Sequence, residues 1–198
     1  YIDNGESLGI GSGSTVNILI ENLSKVKNKI RNVVSSSVKS TELLEANGFE
    51  VSELRDVGRL TKYIDGADEV NKDLQMIKGG GGALTREKIL AHNSNQFICI
   101  VDDSKKVDML GQFPLPIEVI PLSRSSVSLE LIKHGGRPVL RENFVSDNGN
   151  LILDIHNLQI MEPIKLEQTI NNIPGVVTNG IFALDHAHIL LCASDSGI

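Results

Sequence analysis

The chain has 198 residues, 40% of them hydrophobic, and a formal net charge of −6. That is enough for one large domain or two small ones with a true core, and the acidic balance weighs against nucleic acid, whose binders carry a basic stripe. Aromatic residues are only 4%, with no Trp to stack on a base, and no stretch reaches the ~20 apolar residues of a membrane helix.

The first half alternates strand and helix. ESLGIG predicts a strand, GSGST a turn and VNILIENLSKV a helix with apolar residues at helical intervals. The basic run KVKNKIR, Lys25 to Arg31, reads as a solvated connection to the strand NVVSSS. SVKSTELLEANGF is a helix that Ser40 or Thr41 can cap and Gly48 ends. YIDGADEV and LQMIKGGGG give strand ends and a glycine turn, ALTREKILAHNS a helix, and QFICIVD a strand that runs into the loop DDSKKVDMLG. Repeated β-turn-α units imply a mostly parallel sheet, whose ligands sit at the carboxyl ends of the strands.

Near FPLPIEVIPL the pattern changes, and its prolines suggest an edge or boundary strand. A helix (SSVSLELIKHGG), a strand (RPVLREN), the turn SDNGN and an alternating strand (LILDIHN) follow, with Asn-Gly as a hairpin signal. PIKLEQTINNI is a helix with Pro163 in its first turn. GVVTNGIFA and HILLCASD are closing strands, the last returning to the first sheet. The expected fold class is therefore α/β, a mostly parallel sheet domain over residues 1–112 and 180–198 and a smaller α+β domain over 113–179.

Cys99 and Cys192 lie in the apolar runs FICIV and HILLCA and read as buried, reduced thiols. With no signal peptide visible, they point to a reducing, cytoplasmic setting.

Three stretches carry chemistry. GIGSGST, Gly9 to Thr15, falls between a strand and a helix, where free N–H groups and the helix dipole favour an anion. It is not a dinucleotide fingerprint, because Ser14 stands where the third glycine belongs, nor a Walker loop, because no Lys precedes Ser14 or Thr15. Hydroxyls at Ser12, Ser14 and Thr15 beside two glycines suit a phosphomonoester, and equally a tight turn with capping hydroxyls. The second stretch is YIDGADEVNKDLQMIKGGGGALTREK. Asp65 and Asp68 lie where a strand ends, Lys78 ends another, and Gly79 to Gly82 expose backbone N–H groups before the helix that carries Glu87. A surface turn with solvated acids is the plainer alternative, but so many glycines weaken a turn without structural return. The third is VDDSKKV, where Lys105 follows a strand end. His186 and His188 form H-x-H on an expected strand, without a third ligand in view, so no metal site is expected.

Carboxylates, a lysine and a phosphate cradle without metal or cofactor fit the movement of a proton between adjacent carbons of a sugar phosphate. One base must take the proton and return it, and donors must hold the enediolate oxygen. A glutamate serves as such a base where burial lifts its carboxyl towards neutrality. Glu87 suits that base, and Lys78 with the glycine N–H groups suits the oxygen.

The chain resembles the ribose-5-phosphate isomerase A family, the metal-free type. The resemblance rests on GIGSGST, VVSSS, YIDGADEVN, MIKGGGGALTREKI, ICIVDDSKKVDMLGQFPLPIEVIP, GGRPVLR, SDNGNLILDIH and NNIPGVVTNGIFA. It implies reversible conversion of D-ribose 5-phosphate to D-ribulose 5-phosphate in the non-oxidative pentose phosphate pathway, no cofactor, a cytoplasmic setting and a homodimer or homotetramer. It also implies a Rossmann-like domain with a ferredoxin-like insert. On its motifs Glu87 is the proton-transfer base, with Asp65, Asp68 and Lys78 in ring opening and stabilisation of the intermediate. Substrate contacts fall on Ser12, Gly13, Ser14, Thr15, Gly66, Ala67, Gly79, Gly80, Gly81 and Lys105. Ser12 stands where the family usually has Thr. Family members also begin with a helix that precedes the first segment here, where a lysine can help bind phosphate, and this sequence stops just after the D-x-G of residues 195–197. The competing readings are a sugar-phosphate sensor, which would lack the base, and an acyl-CoA transferase-like enzyme with Glu87 as nucleophile.

Overall fold

The structure, a computed structural model, describes residues 1–194 and 197. The D-x-G stretch thus lies largely outside the described residues. In chain order the elements are β1 (Glu6–Ile10), α1 (Ser14–Leu23), β2 (Ile30–Ser35), α2 (Val38–Ala46), the single turn α3 (Leu54–Val57), β3 (Leu60–Asp65), β4 (Glu69–Val70) and β5 (Met76–Ile77). Then come α4 (Leu84–His92), β6 (Ser94–Asp102), β7 (Leu115–Val119), α5 (Arg124–Lys133), β8 (Arg137–Leu140), β9 (Leu151–His156), α6 (Pro163–Asn171), β10 (Val176–Asn179), β11 (Ile181–Phe182) and β12 (Ile189–Ala193). No helix among the described residues is long and apolar enough to cross a membrane.

The chain divides into two compact units of nearly equal length. One comprises Tyr1–Gly66, Arg86–Asp103 and the residues from Ala187 onward; the other comprises Ala67–Thr85 and Ser104–His186.

The first unit holds a five-stranded sheet in the order β12-β6-β3-β1-β2, every pair parallel. All five residues of β1 are buried, as a strand covered on both faces requires. Leu8 and Ile10 pack with Val16, Ile20 and Leu23 of α1 and with Val33, Leu44 and Phe49. On the neighbouring pair of strands Tyr63 and Phe97 face each other, ring centroids 4.8 Å apart. α2 is capped by Ser37, whose hydroxyl accepts the Ser40 N–H at 3.1 Å, rather than by Ser40 or Thr41: the helix begins at Val38, earlier than its apolar pattern suggests. β1 runs through α1 to β2 on one side, while β3 lies on its other side. This reversal of strand order opens a crevice at the carboxyl ends of β1 and β3. At the opposite end of β1, Glu6 is bonded to Lys62 at 2.6 Å and to the Thr61 hydroxyl.

The second unit holds two antiparallel sheets. β7-α5-β8-β9-α6-β10 forms a four-stranded sheet in the order β10-β7-β9-β8, the ferredoxin-like arrangement. Its core includes Leu115, Ile117, Val127, Leu131, Leu153, Ile155 and Ile170. β7 is an interior strand, paired to both β9 and β10, and not the edge its prolines suggested. Pro116 precedes the first pair with β10, so its missing N–H leaves a gap only at that ladder's end, where its carbonyl accepts the Gly180 N–H at 2.8 Å. Pro163 opens α6 as expected. GVVTNGIFA is two strands, since the chain crosses at Gly180 from β10 into β11 of the three-stranded sheet β11-β5-β4. That small sheet, with the Glu69 carboxylate accepting the Gly111 N–H at 2.7 Å and the Phe113 N–H, ties residues 67–85 and 104–112 to this unit. The sequence expectation grouped them with the parallel sheet.

Candidate active site

In the first unit the site is built at the carboxyl ends of β1 and β3. Asp65, the last residue of β3, is fully buried. Its Oδ1 accepts the Gly66 N–H at 2.7 Å and the Ser12 N–H at 3.1 Å, while the Tyr63 hydroxyl donates to Oδ2. Burial first, and then the charges of Asp65 and Glu87, push the Tyr63 phenol well above its ordinary range, so it remains a donor at any physiological pH. Two glycines make room for this pair. Gly9 lies opposite Tyr63, and a Cβ there would come 2.8 Å from Leu60 Cδ1 and 3.0 Å from the Tyr63 ring. A Cβ at Gly11 would sit 1.9 Å from the Asp65 carboxyl carbon. The glycine pattern of GIGSGST thus serves the opposing strand, with the period of two that pleated strands impose.

Ser12 joins a second carboxylate to this arrangement. Its hydroxyl donates to Glu87 Oε1 at 2.6 Å, while its N–H holds Asp65. Glu87 is on α4 and is 4% exposed, so the hydroxyl fixes a nearly dry carboxylate. Beside it α1 begins at Gly13, Ser14 and Thr15, all exposed. Gly13 has φ 102, a region that L side chains avoid, and no side chain caps the helix, whose first N–H groups are thus presented at the end of β1.

In the second unit the chain passes through Ala67 to Asp68, whose N–H donates to the Ile77 carbonyl at 2.8 Å. Asp68 Oδ2 accepts the Gly80 N–H at 2.8 Å. A Cβ at Gly80 would come 2.6 Å from Asp68 Oδ1, so the glycine lets the backbone close on the carboxylate. Lys78 is 2% exposed; its backbone N–H donates to Gly180 and its ammonium lies 5.5 Å from the centre of the Phe182 ring. Gly79 is buried, and Gly80 and Gly81 are exposed. The turn leads to Thr85, whose hydroxyl donates to the fully buried Glu118. Ser146, at 2.8 Å, and Asn148 and Asn150 also donate to Glu118 Oε1. Lys105, half-buried, precedes Lys106, which bridges to Val70 just beyond Asp68.

The sequence-predicted residues thus fall into two sets: Ser12, Gly13, Ser14, Thr15, Asp65, Gly66 and Glu87 in one unit, and Ala67, Asp68, Lys78, Gly79, Gly80, Gly81 and Lys105 in the other. His186 and His188 do not share a strand face. β12 begins at Ile189, the two residues belong to different units, and His188 Nδ1 accepts the Phe97 N–H at 3.0 Å. Among the described residues no group of three or more His, Cys, Asp or Glu side chains is placed to hold a metal ion. Sequence reasoning missed Tyr63, which could have been found from its place two residues before Asp65 on one strand face.

Comparison with known proteins fits this geometry. The ribose 5-phosphate isomerase A (phosphoriboisomerase A) family matches residues 32–197. Ribose 5-phosphate isomerase A from Neisseria gonorrhoeae is 49% identical, with a TM-score of 0.97 over 99% of this chain and 88% of that one. The Methanocaldococcus jannaschii enzyme is 36% identical, with a TM-score of 0.93 over 99% of this chain and 90% of its own. A D-ribose-5-phosphate isomerase solved in complex with phospho-erythronic acid is also 36% identical, with a TM-score of 0.95 over 100% of this chain and 90% of that one. The chain belongs to the ribose 5-phosphate isomerase A family.

Proposed function

We propose that this protein interconverts D-ribose 5-phosphate and D-ribulose 5-phosphate through an enediolate, in the non-oxidative pentose phosphate pathway. The observation that carries the reading is Glu87: a buried carboxylate fixed at 2.6 Å by the Ser12 hydroxyl, in a chain that belongs to the isomerase family. Glu87 takes the proton from C2 of the open-chain aldose and returns it to C1. Charge then develops on the carbonyl oxygen, where the Lys78 ammonium and the N–H groups of Gly79 to Gly81 offset it. One such donor is worth about 10²–10³-fold in rate.

The aldopentose enters mostly as a ring, and opening it requires a proton to leave the anomeric hydroxyl and another to reach the ring oxygen. Asp68, half-buried and held by a single glycine N–H, suits that exchange. Asp65, with the Ser12 and Gly66 N–H groups and the Tyr63 hydroxyl among its donors, suits the fixing of the Ser12 loop and hence of Glu87. Ser12 to Thr15 at the start of α1, together with Lys105, take the phosphate, while Gly66 and Ala67 line the sugar. Phospho-erythronic acid, bound by a relative, carries a planar carboxylate that resembles an enediolate, and it is expected to bind here too.

The family resemblance also supports action without metal or organic cofactor, a homodimer or homotetramer, and a cytoplasmic setting, with which Cys99 and Cys192 agree in that neither is in a disulfide. Cys99 is buried as expected, while Cys192, near the end of β12, is only half-buried. The test is direct. D-ribose 5-phosphate is incubated with the purified protein, and ketose formation is followed with and without EDTA. Rapid, EDTA-insensitive ketose formation is expected. Absence of ketose would overturn the reaction, and a loss in EDTA that metal restores would overturn the metal-free part alone.

A further inference from the structure

Arg141, in the segment after β8, makes contacts that point back to the glycine turn. Its Nε donates to Asp154 Oδ2 at 2.9 Å and its Nη2 to Asp154 Oδ1, a two-pronged ion pair in which both side chains are about one-fifth exposed (18% and 20%). The remaining nitrogen, Nη1, donates to the carbonyl of Gly80 at 3.1 Å and more weakly to that of Gly79 at 3.3 Å. The guanidinium also lies 5.3 Å from the centre of the Phe144 ring, which occupies the space that a Cβ on Gly82 would need.

In a planar trans peptide the C=O and the following N–H point in opposite directions. A carbonyl held by Arg141 therefore fixes the next N–H on the far side of the peptide. Holding the Gly79 carbonyl aims the Gly80 N–H, which donates to Asp68 Oδ2 at 2.8 Å. Holding the Gly80 carbonyl aims the Gly81 N–H. The turn supplies one bond of its own, from the Gly82 N–H to the Gly79 carbonyl at 2.9 Å, and Arg141 adds the hold on the Gly80 carbonyl. Glycine peptides without such holds sample many orientations, and electrostatic catalysis requires donors that are set before the charge appears.

We propose that Arg141, clamped by Asp154, is a positioning residue for the reaction: it locks the Gly79–Gly80 and Gly80–Gly81 peptides so that the Gly81 N–H and Asp68 meet the intermediate already aligned. This rests on the isomerase reading given above. Only an arginine does this, because its planar fork serves the carboxylate and the carbonyls together, whereas a lysine ammonium is a point donor on a flexible stem.

The experiment compares wild type with Arg141→Lys, measuring kcat and KM for D-ribose 5-phosphate, inhibition by phospho-erythronic acid, and the thermal midpoint. The expected result is a kcat lower by about tenfold or more, a KM within about threefold, and binding of the aldonate weakened by the same factor as kcat/KM. Arg141→Ala should regain part of its kcat on addition of millimolar guanidinium ion, which a role confined to stability would not produce. If Arg141→Lys does not fold, Asp154→Asn, which leaves Arg141 in place beside a neutral partner, bears the same test with a smaller loss. A kcat within twofold of wild type, or a loss of aldonate affinity no greater than the rise in KM, would overturn the proposal. Wild type without ketose formation in the same assay would overturn the isomerase reading itself.

Discussion

The two sets of site residues are held by different means. In the parallel-sheet unit the carboxylates are fixed at short range: Tyr63 lies two residues before Asp65 on one strand, and Ser12 on the neighbouring strand's loop serves Asp65 and Glu87 together. In the antiparallel unit the glycine turn has one backbone bond of its own, from the Gly82 N–H to the Gly79 carbonyl at 2.9 Å, and no side chains to order it. Most of its bracing therefore arrives from distant segments, Arg141 with Asp154 and Glu118 with its hairpin partners. A strand end orders its own side chains, while a run of glycines must borrow order from elsewhere. Damage to the first set should therefore act locally and steeply, and damage to the second should be shared among several supports.

The largest effect is expected at Glu87. Glu87→Gln keeps the size of the side chain and its acceptor for the Ser12 hydroxyl but removes the base, so kcat should fall by about 10²–10⁴-fold with KM little changed. Activity within tenfold of wild type would remove Glu87 from that role and break the comparison at its centre.

Next come two matched glycine substitutions. Gly11→Ala forces a methyl to within 1.9 Å of the buried Asp65 carboxyl, which has no room to retreat. Overpacking of this kind costs about 1–3 kcal/mol, and a displaced loop can lower turnover by about 10²-fold. Gly80→Ala meets Asp68 Oδ1 at 2.6 Å, but Asp68 is half-buried and its carboxylate can turn aside, so stability should change less. Chemical denaturation of both variants checks the ranking, and equal losses would show that the two carboxylates are equally constrained.

Tyr63→Phe should cost less still. It deletes one hydroxyl donor from a buried acceptor, worth about 1 kcal/mol, because Asp65 keeps other partners, the Ser12 and Gly66 N–H groups among them. Because the Tyr63 phenol is pushed up by burial and by its acidic neighbours, folding is supported below the phenol's ordinary pKa of about 10 and loses that support as the pH rises above it. The phenylalanine variant should lack this alkaline decline. A pH–stability profile identical to wild type would show that the hydroxyl contributes nothing.

Much of this was legible in the sequence, for identifiable reasons. Parallel strands such as β1 and β6 announce themselves because both faces are largely buried, and the residues proposed to carry the chemistry cluster within DGAD, KGGG and TREK. Two kinds of feature were not legible. Pro116 implied an edge strand because sequence does not reveal where a partner strand ends, and β10 ends where the missing N–H would have been needed. Gly9 and Gly11 suggested a phosphate loop, yet part of their purpose is to admit Tyr63 and Asp65, which lie more than fifty positions away. Arg141 and Glu118 belong to the same class, since long-range partners leave no local pattern.

The smallest expected effect lies at the other end of β1. Burial raises the Glu6 carboxyl, but hydrogen bonds from Lys62 and Thr61 outweigh it and leave the group below its ordinary range. A carboxylate so lowered supports folding above its unfolded pKa of about 4.3 and loses that support as the pH falls through its folded value. Glu6→Gln should therefore flatten the acid limb of the stability profile, lower neutral stability because it leaves the largely buried Lys62 ammonium beside a neutral partner, and leave kcat unaltered. The same strand carries Gly11's loop at its carboxyl end, so a variant at Glu6 that also lowered kcat would mean that the ends of β1 are mechanically coupled. An unchanged kcat would confine catalytic sensitivity to the crevice where the strand order reverses, which is where the fold alone places it.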